Sequence, residues 1–367
     1  MSAEKQIIQQ AVILIPSLEP DKRLPLYIRR LEESGFGAIV VVDDGSGAGS
    51  RDVFQEVSMI PRTVVLYHET NRGKGAALRT GFSYIRDLPE TFKYIITADS
   101  DGQHTAKDCI RLAERLSDGQ RKLYLGSRDF NLPDIPPKSR IGNRITSIVF
   151  KFLYGQWLPD TQTGLRAFRR EELPFMTEID GDRYEYEMKV LIACARSGIP
   201  IASVPIETIY ENGNEGTHFH PVRDSWRIYR VVFGSFFRFM GSSFFCWLLD
   251  YLLTLILWGV VLPAWGLPPE SIWNVNVGGW SARLVSSAIN FTLNKKLVFR
   301  QKGKAGSALI RYAAICVFVI TVSNIGVWLM GLIGIARWLA KIIMETVLYF
   351  FNYHFQRTWV FREAEIK

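Results

Sequence analysis

Short apolar runs alternate with helix-spaced apolar positions through roughly the first 230 residues, and long apolar stretches dominate the rest. Residues 11–15 (Ala-Val-Ile-Leu-Ile) predict a buried strand stopped by Pro16 and Pro20. Leu24, Ile28 and Leu31 then recur at helical intervals over residues 21–33, with Pro25 tolerable in the first turn. Residues 38–42 predict a second strand, ended by Asp43-Asp44-Gly45-Ser46-Gly47. Residues 63–67 predict a third, leading into Asn71-Arg72-Gly73-Lys74-Gly75 and a helix over about 76–86. A fourth strand opens at Tyr94 and runs into Asp99-Ser100-Asp101-Gly102-Gln103-His104; the last of the series spans 199–209. Strands alternating with helices predict an α/β fold with a largely parallel sheet, whose ligands collect outside the carboxyl ends of the strands.

The later pattern is that of a membrane protein. Residues 239–262 and 312–335 are long enough to span a bilayer. Weaker spans cover about 277–298, carrying Arg283, and 336–355, carrying Lys341 and Glu345. Four helices are expected. The connection 263–279 has no Lys or Arg, whereas 295–311 holds Lys295, Lys296, Arg300, Lys302, Lys304 and Arg311, which places the basic loop and the first domain in the cytoplasm of a multi-pass protein of the cell (inner) membrane. The expected division is 1–217, an interfacial helix or linker at 218–234, and a membrane domain at 235–363. In the linker Arg223, Arg227 and Arg230 would face headgroups while Trp226 and Tyr229 seat at the boundary. Residues 290–300 and 352–362 repeat one order of polar, basic and apolar groups, which indicates a duplicated two-helix unit. Asp250, Arg283, Lys341 and Glu345 sit at or near membrane depth and must face the bundle or a wet cavity, as a structural ion pair or as part of a headgroup path.

Composition removes several classes. The net charge of +8 comes without a basic run interleaved with aromatics on an element, so a membrane surface, and no nucleic acid, is the expected partner. Cys109, Cys194, Cys246 and Cys316 lie far apart, without zinc-like spacing, which suits a reducing compartment. The polar start predicts no cleaved leader. There is no Walker A loop and no G-x-G-x-x-G after the first strand, so ATPase and dinucleotide readings lose their support.

What the carboxyl-edge loops do carry is acidic. Glu19, Asp43, Asp44, Lys74 and the Asp99/Asp101 pair fall along one crevice, a pattern suited to a nucleotide. Two carboxylates one residue apart can hold a divalent cation that grips a diphosphate. Arg128 and Arg140 are expected on loops beyond the same edge, where a guanidinium can fork onto phosphate.

Taken in order, Ile15-Pro16-Ser17-Leu18-Glu19, Val42-Asp43-Asp44-Gly45-Ser46, Asn71 to Gly75, Asp99 to His104, Gly126-Ser127-Arg128, Ser139-Arg140-Ile141-Gly142-Asn143, Asp160 to Arg166 and Arg183 to Glu187 resemble the family 2 glycosyltransferases. They are closer still to dolichol-phosphate mannosyltransferase and the polyprenyl-phosphate glycosyltransferases. One departure is Ser17-Leu18, where that family usually has an aromatic and an Asn. The resemblance implies a GT-A, Rossmann-like catalytic domain and inverting transfer. Pro16, Glu19 and Asp43 would hold the base and ribose, with Asp44 and Lys74 completing the donor site. Asp99, Asp101 and Gln103 would coordinate Mg²⁺ or Mn²⁺, and Asp101, Arg128 and Arg140 would be the catalytic set. A phosphate acceptor is already anionic, whereas a hydroxyl acceptor needs a base. The implied partners are a nucleotide-sugar donor of the UDP-glucose or GDP-mannose type, a polyprenyl-phosphate acceptor and membrane lipids. Ser139, Arg140, His218 and Arg223 would serve the acceptor, and Asp160 is either a base, an orienting group or a cap. A transferase using a hydroxyl acceptor, and a lipid-sugar transporter with a nucleotide-sugar sensor, are the alternatives. Residues 234–363 resemble the GtrA family of four-helix proteins linked to moving lipid-linked sugars. Gln356-Arg357-Thr358-Trp359 does not match the Q-x-x-R-W signature of processive synthases.

Overall fold

A computed structural model describes residues 3–132, 135–207, 221–268, 272–299 and 305–361, in two compact units, Met1–Val232 and Phe233–Lys367. In the first unit the strands are β1 (Ala11–Ser17), β2 (Ala38–Asp43), β3 (Thr63–Tyr67), β4 (Tyr94–Thr97), β5 (Leu123–Ser127), β6 (Arg166–Arg169) and β7 (Ile201–Pro205). The helices are α1 (Ala3–Gln9), α2 (Arg23–Glu33), α3 (Arg51–Ser58), α4 (Lys74–Arg86), α5 (Ala106–Leu116), α6 (Pro137–Tyr154), α7 (Leu173–Glu178), α8 (Glu185–Arg196) and α9 (Pro221–Val232).

One sheet has the order β3-β2-β1-β4-β6-β5-β7. All its pairs are parallel except those of β6, which runs antiparallel to β4 and β5. The chain winds outward from β1 through β2 to β3, then returns to place β4 on the other side of β1, so the β1/β4 boundary is the topological switch where a ligand crevice opens. Strand β1 is buried along its whole length, which explains its unbroken apolar run. Helix α2 covers it with Leu24, Tyr27, Ile28 and Leu31, each such side chain contributing about 1.5–3 kcal/mol by leaving water. Pro25 sits in the first turn of α2 as the sequence requires.

Helix α6 corrects one expectation. Arg140, placed on a loop by sequence, lies in the first turn of this helix, and Pro136-Pro137 explains the start: proline supplies helical φ where an N–H has no partner to lose. Ile141, Ile145, Ile148 and Phe152 form an exposed stripe along it.

The second unit is helical: α10 (Gly234–Ile256), α11 (Leu262–Ala264), α12 (Ile272–Leu293), α13 (Ala305–Leu332) and α14 (Arg337–Phe355). Long helices occupy the four expected positions. Among the described residues one stretch, Gly234–Ala264, is long and apolar enough by itself to cross a membrane. The sequence repeat has a structural counterpart, since α12 and α14 both end in a π-helical turn, Asn294–Val298 and Gln356–Val360. The equivalent residues meet: Asn294 Nδ2 donates to Gln356 Oε1 at 2.9 Å, and the rings of Phe299 and Phe361 stack at 5.1 Å. Each amide is also braced one turn back, Asn294 by Asn290 and Gln356 by Asn352. Like residues contacting like place a local pseudo-two-fold axis between the halves. Asp250 and Arg283 pair at 3.4 Å between α10 and α12, with Ser286 Oγ donating to Asp250. The side chains of Lys341 and Glu345 lie outside the described ones.

Candidate active site

The exit of β4 carries a charged network. Lys74, the first residue of α4, places Nζ 2.6 Å from Asp99 Oδ1 and 3.0 Å from Glu187 Oε1. His104 Nε2 stands 3.2 Å from the other oxygen of Asp99. Burial alone would lower the Lys74 amine, but Asp99 and then Glu187 hold it above its ordinary value. Burial would likewise raise the Asp99 carboxyl, yet Lys74 and His104 keep it well below the usual carboxylate range. Asp101 goes the other way, raised by burial and by the charge of Asp99, although the Gln103 N–H donates to it at 3.0 Å. Two carboxylates are thus held close, one stabilised and one not.

Local structure explains the placement. Gly73 caps α4 at φ +103°, and a Cβ there would collide with the Asp182 carbonyl. The Lys74 loop therefore packs flat on residues 181–183. Asp44 is buried beneath it, accepting from the Arg72 and Gly73 N–H groups and pairing with His68 at 2.7 Å. On the far side Thr97 Oγ1 donates to the Gly164 carbonyl, and a Cβ on Gly164 would lie 2.4 Å from both Asp99 oxygens. Only glycine lets that segment approach the carboxylate.

A second cluster forms where β1 and β2 end. Glu19 has φ +46°, strained for a non-glycine by about 1–2 kcal/mol. Its carboxylate accepts from the Gly47 N–H (2.7 Å) and Ser50 Oγ (3.0 Å), its own N–H donates to Ser46 Oγ, and the Ser46 N–H donates to Asp43 Oδ1. These bonds hold the strained turn. Beside them lies a cavity of about 340 Å³ lined by Asp43, Ser46, Gly47, Arg51, Phe54 and Tyr67. Pro16 is buried in β1.

Arg128, just past β5, donates from Nε (2.7 Å) and Nη2 (3.1 Å) to the two oxygens of Asp160, over the ring of Phe130. Asp160 is fully buried and accepts the Gln162 N–H as well. It is the counter-ion of Arg128, which orients that guanidinium. Arg140 Nη2 donates to the Leu132 carbonyl at 2.7 Å, while its Nε is buried without a hydrogen-bond partner.

Comparison with known proteins agrees with this geometry. The model of glycosyl transferase family 2 matches residues 22–173, and that of the GtrA/DPMS transmembrane domain matches 238–361. An uncharacterised protein of Methanocaldococcus jannaschii is 34% identical over 54% of this chain and 81% of its own length. The chain belongs to glycosyl transferase family 2. Two further relatives are the UDP-N-acetylglucosamine–dolichyl-phosphate N-acetylglucosaminyltransferase of Methanococcus voltae, 27% identical over 54% of this chain and 85% of that one, and the polyprenol monophosphomannose synthase of Mycolicibacterium smegmatis, 27% identical over 54% and 77%.

In this family 2 glycosyltransferase the structure gathers Lys74, Asp99, Asp101 and Gln103 in one network, and Glu19 with Asp43 in a neighbouring one. Asp44 pins the Lys74 loop from below. Ser139 and Arg140 share the first turn of α6, Arg223 is exposed on α9, and His218 lies outside the described residues. No cluster of three His, Cys, Asp or Glu side chains able to hold a metal occurs among the described residues. Sequence reasoning gave no role to Glu187, His104 or Gly164. Glu187 is the clearest omission: its motif was visible, but pairing with a lysine more than a hundred positions earlier is set by the fold alone.

Proposed function

We propose that this membrane glycosyltransferase moves one sugar from a nucleotide sugar to a polyprenyl phosphate, with inversion, at the cytoplasmic face of a multi-pass membrane unit. The observation that carries the reading is the layout of α6. Arg140 offers a buried, unpartnered guanidinium N–H at the head of an exposed apolar stripe that runs about 16 Å along the helix, matching a phosphate head on an apolar tail. The relatives named for dolichyl phosphate and polyprenol support the same acceptor class.

The donor would lie with its base in the cavity beside Asp43 and Glu19, and its diphosphate toward Lys74, Asp99 and Asp101. The residues present fit a Mg²⁺ or Mn²⁺ ion. Asp101 stands beside a second carboxylate with no ion pair of its own among the described residues, and such ions commonly take one or two carboxylates and complete their shell with phosphate oxygens and water, so Asp99, Asp101 and Gln103 would hold it. When bound, the ion would neutralise charge on the leaving nucleoside diphosphate. The acceptor phosphate is anionic, so its oxygen attacks the anomeric carbon in line without a base, forming the new C–O bond as the bond to the diphosphate breaks. Arg128 and Arg140 align the two anions against their repulsion. Passage of the sugar-lipid product through the second unit, past the Asp250–Arg283 pair, is the further role we assign to that unit.

Membranes holding the protein are incubated with labelled UDP-glucose, GDP-mannose and related donors plus polyprenyl phosphate. A lipid product cleaved by mild acid is the expected outcome. An acid-stable product would point to a hydroxyl acceptor, and no product with any donor would leave a transporter.

A further inference from the structure

Beside the site, within the first unit, lies an open cleft of about 300 Å³ lined by Asp182, Arg183, Glu185, Lys189, Arg227 and Arg230. Its charge balance is positive even after internal pairing. Asp182 is bonded to Arg79, and Lys189 pairs with Asp180 at 2.9 Å, outside the cleft. Arg227 Nη1 is buried with no hydrogen-bond partner, its nearest carboxylate oxygen, on Asp224, standing 3.7 Å away. Arg227 and Arg230 are one turn apart on α9, and Arg223 extends the row by another turn. Trp226, on the adjoining face, is 69% exposed. The helix ends at Val232, and the apolar stretch able to span a membrane begins at Gly234, so the chain itself brings α9 to headgroup level.

We propose that this cleft binds the phosphate headgroup of an anionic membrane lipid, distinct from the acceptor, and that its occupancy braces the donor-site loop. Guanidinium groups take phosphate by paired N–H bonds, and the part-exposed side chains of Arg227 and Arg230 line the cleft side by side. The link to the donor site is direct. The Asp182 carbonyl accepts the Ala76 N–H at 3.0 Å, a Cβ on Gly73 would lie 2.7 Å from Arg183 Cγ, and the Tyr184 ring lies 5.9 Å from Lys74 Nζ. Asp182 and Arg183 are thus at once part of the wall of the cleft and of the seat of the Lys74 loop. Fixing Arg183 and Arg227 on a headgroup stiffens that seat.

The inference rests on the membrane reading, and its first test does not require turnover. Full-length protein in phosphatidylcholine nanodiscs is titrated with dansyl-phosphatidylglycerol, read by energy transfer from tryptophan. Saturable binding is expected, weakened about thirtyfold in the R227Q/R230Q variant, since each basic residue near such a lipid contributes about a factor of five to six. Equal binding by the variant, or equal binding of dansyl-phosphatidylcholine, overturns the proposal, as does displacement by millimolar glycerol phosphate. In the second test the transfer rate in vesicles should rise with the phosphatidylglycerol fraction and saturate in wild type, and stay at the phosphatidylcholine rate in R227Q/R230Q. If the variant instead raises only the KM for polyprenyl phosphate, with no response to anionic lipid, the cleft holds the acceptor and the proposal fails. Absence of transfer in every membrane with binding intact would refute the transferase reading and leave the lipid site standing.

Discussion

Replacing Lys74 with Met removes one ammonium from between two carboxylates. Its Nζ lies 2.6 Å from Asp99 and 3.0 Å from Glu187, with the lysine side chain 16% exposed and that of Glu187 11%. Deleting one partner of a buried ion pair typically costs about 3–5 kcal/mol, because the remaining charge stays desolvated. For a unit of this size each kcal/mol moves the melting temperature by about 2–4 °C, so K74M should melt roughly 6–20 °C lower by differential scanning fluorimetry. E187Q keeps the Lys74–Asp99 pair and should lose only about 1–2 kcal/mol. The double variant K74M/E187Q should be less destabilised than the two single losses added, since the Asp99–Glu187 repulsion that K74M exposes is gone. If Lys74 also meets the donor diphosphate, losing one charge-assisted hydrogen bond of about 1.5–3 kcal/mol lowers kcat/KM roughly 10–150-fold. A K74M protein melting within about 2 °C of wild type, with strictly additive behaviour in the double variant, would refute the reasoning.

Asp101→Asn should abolish transfer while leaving the melting temperature equal or higher, since it removes the less stable carboxylate of the pair; a purified variant that still turns over refutes the metal role. Chelation of divalent ions should stop the reaction, and Mg²⁺ or Mn²⁺ should restore it in wild type but not in Asp101→Asn, as read by product formation. Gly164→Ala, whose Cβ would lie 2.4 Å from the Asp99 oxygens, should cost about 1–3 kcal/mol in thermal stability and depress activity with it. Ile145→Asn on the exposed face of α6 should raise the acceptor KM without changing that of the donor; equal changes would remove α6 from acceptor binding.

Much of the first unit was legible because its signals are local. The unbroken apolar runs of β1, β2 and β4 required strands covered on both faces, and the acidic loops at their carboxyl ends could meet only at one sheet edge. Helix α6 was not legible as an exposed amphipathic element, since Ile141, Ile145 and Ile148 look like any core face until the fold shows nothing covering them. The partners of Asp44 and Asp160 were not legible for a related reason. A carboxylate at a strand end can face the crevice or turn inward, and here His68 and Arg128, both distant in sequence, draw them inward. Glu187 was hidden because its partner arrives from α4.

The handshake between Asn294 and Gln356 bears on how the helical unit came to exist. A lone hairpin ending in such an amide would leave it without this cross-partner, with only the bracing of its own half. Two such hairpins side by side meet each other through the equivalent amides, which fits a duplicated two-helix unit. An N294L/Q356L cycle in which the coupling energy falls short of the roughly 0.6–1.7 kcal/mol found for hydrogen bonds between membrane helices would remove the amide pair as a tie between the two halves.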